Sequence, residues 1–210
     1  MSAGFDPGTG LGPRLRLARE ERQLSVRELA RRIGCSASLI SQIERGVSVP
    51  SVGVLYSLAT ELDSSLDHLL FGASLSRPPG PAALPLPSAS VEPGPGIVQR
   101  AGCRGIIDLA SGVRWERLTP GADAMTDFLE VVYSPGGHST DERRPLRHDG
   151  HEYGLVLSGT LQANVGFESY ELGPGDSIAF DSSTPHEYLN KTAAPVHAVW
   201  VVVHSVPGRA

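Results

Sequence analysis

The chain has 210 residues, 40% of them hydrophobic, and a formal net charge of −5. It is long enough for one large or two small domains with real cores, and too acidic for a protein that coats nucleic acid regardless of sequence. Its two cysteines, Cys35 and Cys103, belong to no metal-type cluster, and the chain has neither a signal-peptide core nor an apolar run of membrane-spanning length, which predicts a soluble, cytoplasmic protein without a membrane partner.

Residues 1–10 contain three glycines and a proline and no periodicity. They read as a flexible arm, and they carry no Lys or Arg for DNA. Leu11 to Gln23 predicts a first helix with Pro13 in its opening turn and Leu15, Ala18 and Arg22 marking the core-facing side. Ser25 then stands three residues before Glu28, the spacing of a capping box. Leu29, Ala30 and Ile33 give that second helix an apolar face. Gly34 can take the left-handed conformation that ends a helix, and Ser36 can cap the next one. Leu39, Ile40 and Ile43 form the apolar face of the third helix, leaving Ser36, Ala37, Ser38, Ser41, Gln42 and Arg45 outside it. Ser51–Leu62 and Ser65–Leu70 complete a set of five helices over residues 11–72.

Residues 1–72 carry eight arginines and eight acidic residues, so the whole −5 comes from the remainder. Seven of those arginines fall between Arg14 and Arg32, a local basic face able to hold phosphates on a neutral domain. The run LISQIERG followed by VSVPS closely resembles the helix-turn-helix of the XRE family, the fold of the phage repressors. The resemblance implies an all-α five-helix domain that binds double-stranded operator DNA as a homodimer, with half-sites about one turn apart. Carried onto this sequence, Ser38, Ser41 and Gln42 are the candidates for base edges, Gln42 favouring adenine. Ala37 stands where many relatives carry Gln, so the base code should differ from theirs. Ser36 is assigned to capping and phosphate contact, and Arg14, Arg31 and Arg45 to phosphates.

Residues 73–96 contain seven prolines and few charges and read as a semi-rigid linker between two independently folded units. From Ile97 to the end, short β-rich runs alternate with Gly, Pro and Asp turns: 105–108, 113–119, 128–133, 153–157, 160–165, 177–180, 186–190 and 196–204. That pattern predicts an antiparallel sandwich or barrel. Trp115 and Trp200 read as core, and residues 141–144 as a solvated loop.

Three segments in this half, RHDGHEYGLVLSGTL (Arg147–Leu161), LGPGDSIAF (Leu172–Phe180) and TPHEYLN (Thr184–Asn190), closely resemble the two motifs of the cupin family. The resemblance implies a double-stranded β-helix, a small antiparallel barrel that holds a divalent metal on inward-pointing side chains. His148, Glu152 and His186 fall on three of the family's ligand positions, and Leu146 occupies the first His position. At most three ligands remain. Residues 148 and 152 share parity and can face inward together, whereas His151 has the opposite parity and should face out; His138 lies on an earlier loop and is not counted. Two His and one carboxylate can hold Fe(II), and Zn or Ni with water also fits. Without metal, the same residues would make a polar pocket for a small-molecule effector, with Arg147, Tyr153 and Tyr188 near its rim.

The expected function is therefore a sequence-specific transcription regulator whose cupin half senses a small molecule or metal, with no catalytic residue. A second reading follows from the spacing His148-x-x-x-Glu152 with a later His186, which resembles the hydroxypropylphosphonate epoxidases. It makes the protein a mononuclear iron oxygenase.

Overall fold

The structure is a computed structural model that describes residues 10–71, 96–121, 123, 125–140 and 145–204. The arm over residues 1–9, the prolines of residues 73–95 and the loop 141–144 lie outside the described residues.

The N-terminal part folds as the expected five helices: α1 (Leu11–Glu21), α2 (Val26–Ile33), α3 (Ala37–Glu44), α4 (Val52–Glu61) and α5 (Leu66–Phe71). Their ends follow from single residues. Ser25 Oγ accepts the Glu28 amide at 3.1 Å and starts α2, Gly34 ends it at φ 74°, and Ser36 Oγ accepts the Leu39 amide at 3.1 Å to start α3. Leu15, Leu29, Ile40, Ile43, Leu55, Leu58 and Leu69 fill the space between the helices. Arg19 on α1 grips the end of α3. Its Nε and Nη2 donate to the two carboxylate oxygens of Glu44 at 2.5 and 3.0 Å, and Nη1 donates to the Leu24 carbonyl at 2.7 Å. A side chain at Gly12 would put a Cβ 2.6 Å from the Glu44 carbonyl oxygen, so glycine permits this close approach of α1 to α3.

After a 3₁₀ turn at Ala101–Cys103 the described residues form nine strands: β1 (Ile106–Asp108), β2 (Val113–Arg117), β3 (Thr126–Tyr133), β4 (His151–Ser158), β5 (Leu161–Val165), β6 (Glu168–Leu172), β7 (Ser177–Asp181), β8 (His186–Leu189) and β9 (Val196–Val203). They form two antiparallel sheets, of order β1-β2-β3-β9-β4-β7 and β6-β5-β8. Alternation along β3, β4, β8 and β9 sends Leu129, Val131, Glu152, Val156, Tyr188, Ala198, Trp200 and Val202 into the space between the sheets. Gly154 lies opposite Trp200 across the β4–β9 pair, and a Cβ there would fall 2.3 Å from the indole. Its glycine lets Trp200 lie across the barrel against Tyr188, with ring centroids 4.3 Å apart. β6 lies outside the runs predicted from the sequence, is mostly exposed along its length and carries no apolar alternation.

The helical and β units pack against each other. The two hydrophobic cores are one continuous cluster. Val52 and Tyr56 of α4 project into the barrel mouth, the Arg117 guanidinium lies 5.0 Å above the Phe71 ring, and the Ala110 amide donates to the Pro50 carbonyl at 3.3 Å.

Candidate functional sites

The first site is the exposed side of α3. Ser38 and Arg45 are exposed and Ala37, Ser41 and Gln42 are half-buried, so this helix presents a small polar surface as the sequence suggests. Gln42 Nε2 donates to Ser38 Oγ at 3.2 Å, and Arg45 donates to Ser41 Oγ. Both pairs are four residues apart on one exposed ridge and can exchange these bonds for a partner's. Ser36 is spent on its cap, as expected. Arg31 is well exposed and forms two bonds to Glu28, at 3.0 and 2.7 Å. Arg32 joins the same carboxylate and also reaches Glu61. Hydrogen bonds from Arg31 and then Arg32 hold the Glu28 carboxyl down at about 2. Exposed pairs of this kind are worth little, so Arg31 is held only weakly by Glu28. Arg14 is differently placed. Its guanidinium turns inward and donates to the carbonyls of Leu69 (2.8 Å) and Leu70, closing the end of α5. Arg27 is exposed on α2.

The second site lies inside the barrel, on the strand ends that face α4. Glu152 on β4 is buried, and its Oε1 is 2.6 Å from His148 Nε2 and 3.1 Å from His186 Nε2. Its Oε2 accepts the Tyr188 hydroxyl at 2.7 Å. The ring orientations are set from behind. His186 Nδ1 lies 2.8 Å from the Thr184 carbonyl, and His148 Nδ1 lies 3.3 Å from the Asp149 carbonyl. A carbonyl only accepts, so each Nδ1 carries the proton and each Nε2 faces the carboxylate. Two Nε2 atoms and one carboxylate oxygen thus converge on a single buried point. Burial alone would raise the Glu152 carboxyl, but the bonds from His148 and His186 outweigh it and bring it to about 2. Tyr188 moves the other way, its phenol pushed up by burial and then by the Glu152 charge.

The three donor atoms lie within 4.8 Å of one another, and among the described residues this is the group of His, Cys, Asp or Glu side chains able to hold a metal. Leu146, at the family's first His position, is buried beside it and pairs with the His186 backbone. Two expected rim residues are absent from the pocket. Tyr153 follows Glu152 on β4 and therefore points to the opposite, outer face, where it is 49% exposed. Arg147 precedes His148 in the same alternation and is exposed too. His151 faces outward as its parity requires and meets Tyr153 there. Tyr56 is the pocket residue that the sequence reading missed: its ring stacks on His148 with centroids 4.2 Å apart.

Comparison with known proteins agrees with both halves. The Helix-turn-helix family model matches residues 15–69 and the Cupin domain model residues 129–202. The HTH-type transcriptional regulator PuuR of Escherichia coli (strain K12) is 28% identical over 189 residues, 90% of this chain and 91% of its own length. This chain is a transcriptional regulator that joins a helix-turn-helix domain to a cupin domain. An uncharacterized HTH-type regulator of Sinorhizobium fredii, y4dL, is 51% identical to the regulator over 49 residues, 23% of this chain and 25% of y4dL. An HTH_3 family transcriptional regulator from Vibrio cholerae shares the fold over 95% of this chain and 98% of its own, at 21% identity and a TM-score of 0.64. No helix of the regulator's described residues is long and apolar enough to cross a membrane.

Proposed function

We propose that this regulator acts in the cytoplasm, binds a specific operator as a homodimer, and changes its DNA affinity when the cupin pocket is occupied. The supporting observation is the convergence of His148 and His186 on Glu152, with each imidazole anchored through Nδ1 to a backbone carbonyl. Such anchoring is what holds metal-ligating histidines in register. The donor set fits one divalent cation of the Fe, Zn or Ni type, which would supply a positive centre for an effector's oxygen or nitrogen donor. Tyr188 then orients Glu152, and the aromatic walls exclude water.

On the DNA side, α3 enters the major groove. Ser38, Ser41 and Gln42 read base edges, with Ala37 beside them. Arg31, Arg45 and the capped end at Ser36 hold phosphates. Arg14 is better assigned to closing α5. Two copies are needed because the helix-turn-helix domain has no net charge to add nonspecific affinity.

Elemental analysis of protein purified without chelators, together with genome-wide footprinting, tests the reading. The expected result is close to one divalent metal per chain, lost in Glu152→Ala, and discrete operator sites. No discrete sites would rule out the regulator function. Iron that drives oxygen consumption in their absence would favour an oxygenase.

A further inference from the structure

Tyr56 belongs to the helix-turn-helix domain, yet its ring sits in the mouth of the barrel. It lies on the face of His148, with the two planes within 10° of parallel, and meets Trp115 edge-on at 6.0 Å. Val52, one turn earlier on α4, enters the same mouth. Between them and the barrel floor they leave a cavity of about 20 Å³. That volume holds one water or one ion. It is far below the roughly 300–1,000 Å³ of sites that take organic ligands. The walls are nonetheless those of a ligand site, with Tyr133, Tyr188 and Trp200 around the carboxylate of Glu152.

We propose that Tyr56 is a tethered ligand of the cupin pocket: an effector with a planar ring binds only by displacing Tyr56 from His148, and in doing so detaches α4 from the barrel. The proposal rests on the regulator reading given above. It explains how a ligand inside the barrel reaches the DNA-binding domain, since the displaced group is part of that domain. The metal-ligating edge of His148 is turned to Glu152 and only its face is covered. A cation therefore coexists with Tyr56, and a ring does not. Docking uses α4, the Pro50 carbonyl and Phe71, and leaves Ser38 and Arg45 of α3 exposed. The docked form is thus competent to bind DNA. In a dimer it holds both recognition helices at fixed separation, and release loses that pre-organisation.

The test uses the full-length chain with p-cresol, the side chain of tyrosine in free form, as probe. The protein's two tryptophans, Trp115 and Trp200, both line this pocket, so their emission reports its occupancy. Tyr56→Ala should bind p-cresol at least about tenfold more tightly than the wild type, because the tethered ring competes at an effective concentration of roughly millimolar. Its operator affinity should fall at least about fivefold, with the footprint and the metal content unchanged. Val52→Asp reaches the released form by a second route, placing a carboxylate against apolar walls beside Glu152, and should weaken operator binding likewise. Circular dichroism identifies a variant that has lost its fold, and the other then carries the comparison. A folded variant with wild-type operator affinity, or p-cresol binding equal in wild type and Tyr56→Ala, overturns the proposal. A wild type without discrete operators would overturn the regulator reading instead, and the p-cresol comparison would still decide whether Tyr56 is a tethered ligand.

Discussion

Glu44 shows how one residue holds the position of the recognition helix. Its carboxylate is buried against Arg19 at the junction of α1 and α3, with both oxygens bonded. Glu44→Ala removes two charged hydrogen bonds and leaves Arg19 the Leu24 carbonyl and a 3.7 Å approach to Glu20; it should cost about 1.5–3 kcal/mol, read as a lowered unfolding midpoint in denaturant. Asp127 is buried in the barrel and accepts from His204 Nε2 at 2.8 Å. That bond raises the His204 imidazole above its ordinary value despite partial burial, with Asp123 adding a smaller pull. A raised folded-state value stabilises the protein below the ordinary imidazole pKa of about 6.5, and the stabilisation is lost as pH rises through the raised one. Thermal unfolding should therefore show wild type and His204→Gln diverging in acid and converging above neutrality. At this scale the sequence misleads where it counts charge without direction. Arg14 belongs to the basic run of α1, but its guanidinium lies on the carbonyls of Leu69 and Leu70. Only the packing of α5 on α1 reveals that.

Among the elements, α2 and α3 were the most legible, because their limits are local chemistry. A serine cap, a left-handed glycine and a second serine cap act within a few residues of where they are read. β4 was legible for Glu152 and incompletely applied elsewhere: the alternation that turns Glu152 inward also turns Tyr153 outward. β6 escaped notice because it is exposed along nearly all its length, so no alternation marks it. Its one local sign is Gly166, at φ 62°, in the two-residue turn Gly166-Phe167 that joins it to β5. The DNA reading proposed above gives Gln42 of α3 and Arg31 of α2 different kinds of contact. Gln42→Ala should weaken binding to the operator selectively. Arg31→Ala should weaken it across sequences and reduce the slope of log affinity against log salt by about one. Titrations on specific and scrambled duplexes at several salt concentrations check both.

At the scale of the whole molecule, the sequence shows two domains and their kinds but not their union. The pairing of Tyr56 with His148 joins residues from different domains across the proline-rich stretch, and no periodicity in either half anticipates it. It places a side chain of the DNA-binding domain on a ligand of the candidate metal site. The central claim is that occupancy of the His148–Glu152–His186 pocket and affinity for the operator are one coupled equilibrium. The most direct measurement is operator binding by the full-length, metal-loaded protein with and without saturating p-cresol, alongside Tyr56→Ala. Wild-type affinity should differ at least about fivefold between the two states, and Tyr56→Ala should show a single, weaker affinity indifferent to p-cresol. Equal wild-type affinity in both states, on a discrete operator, would contradict it.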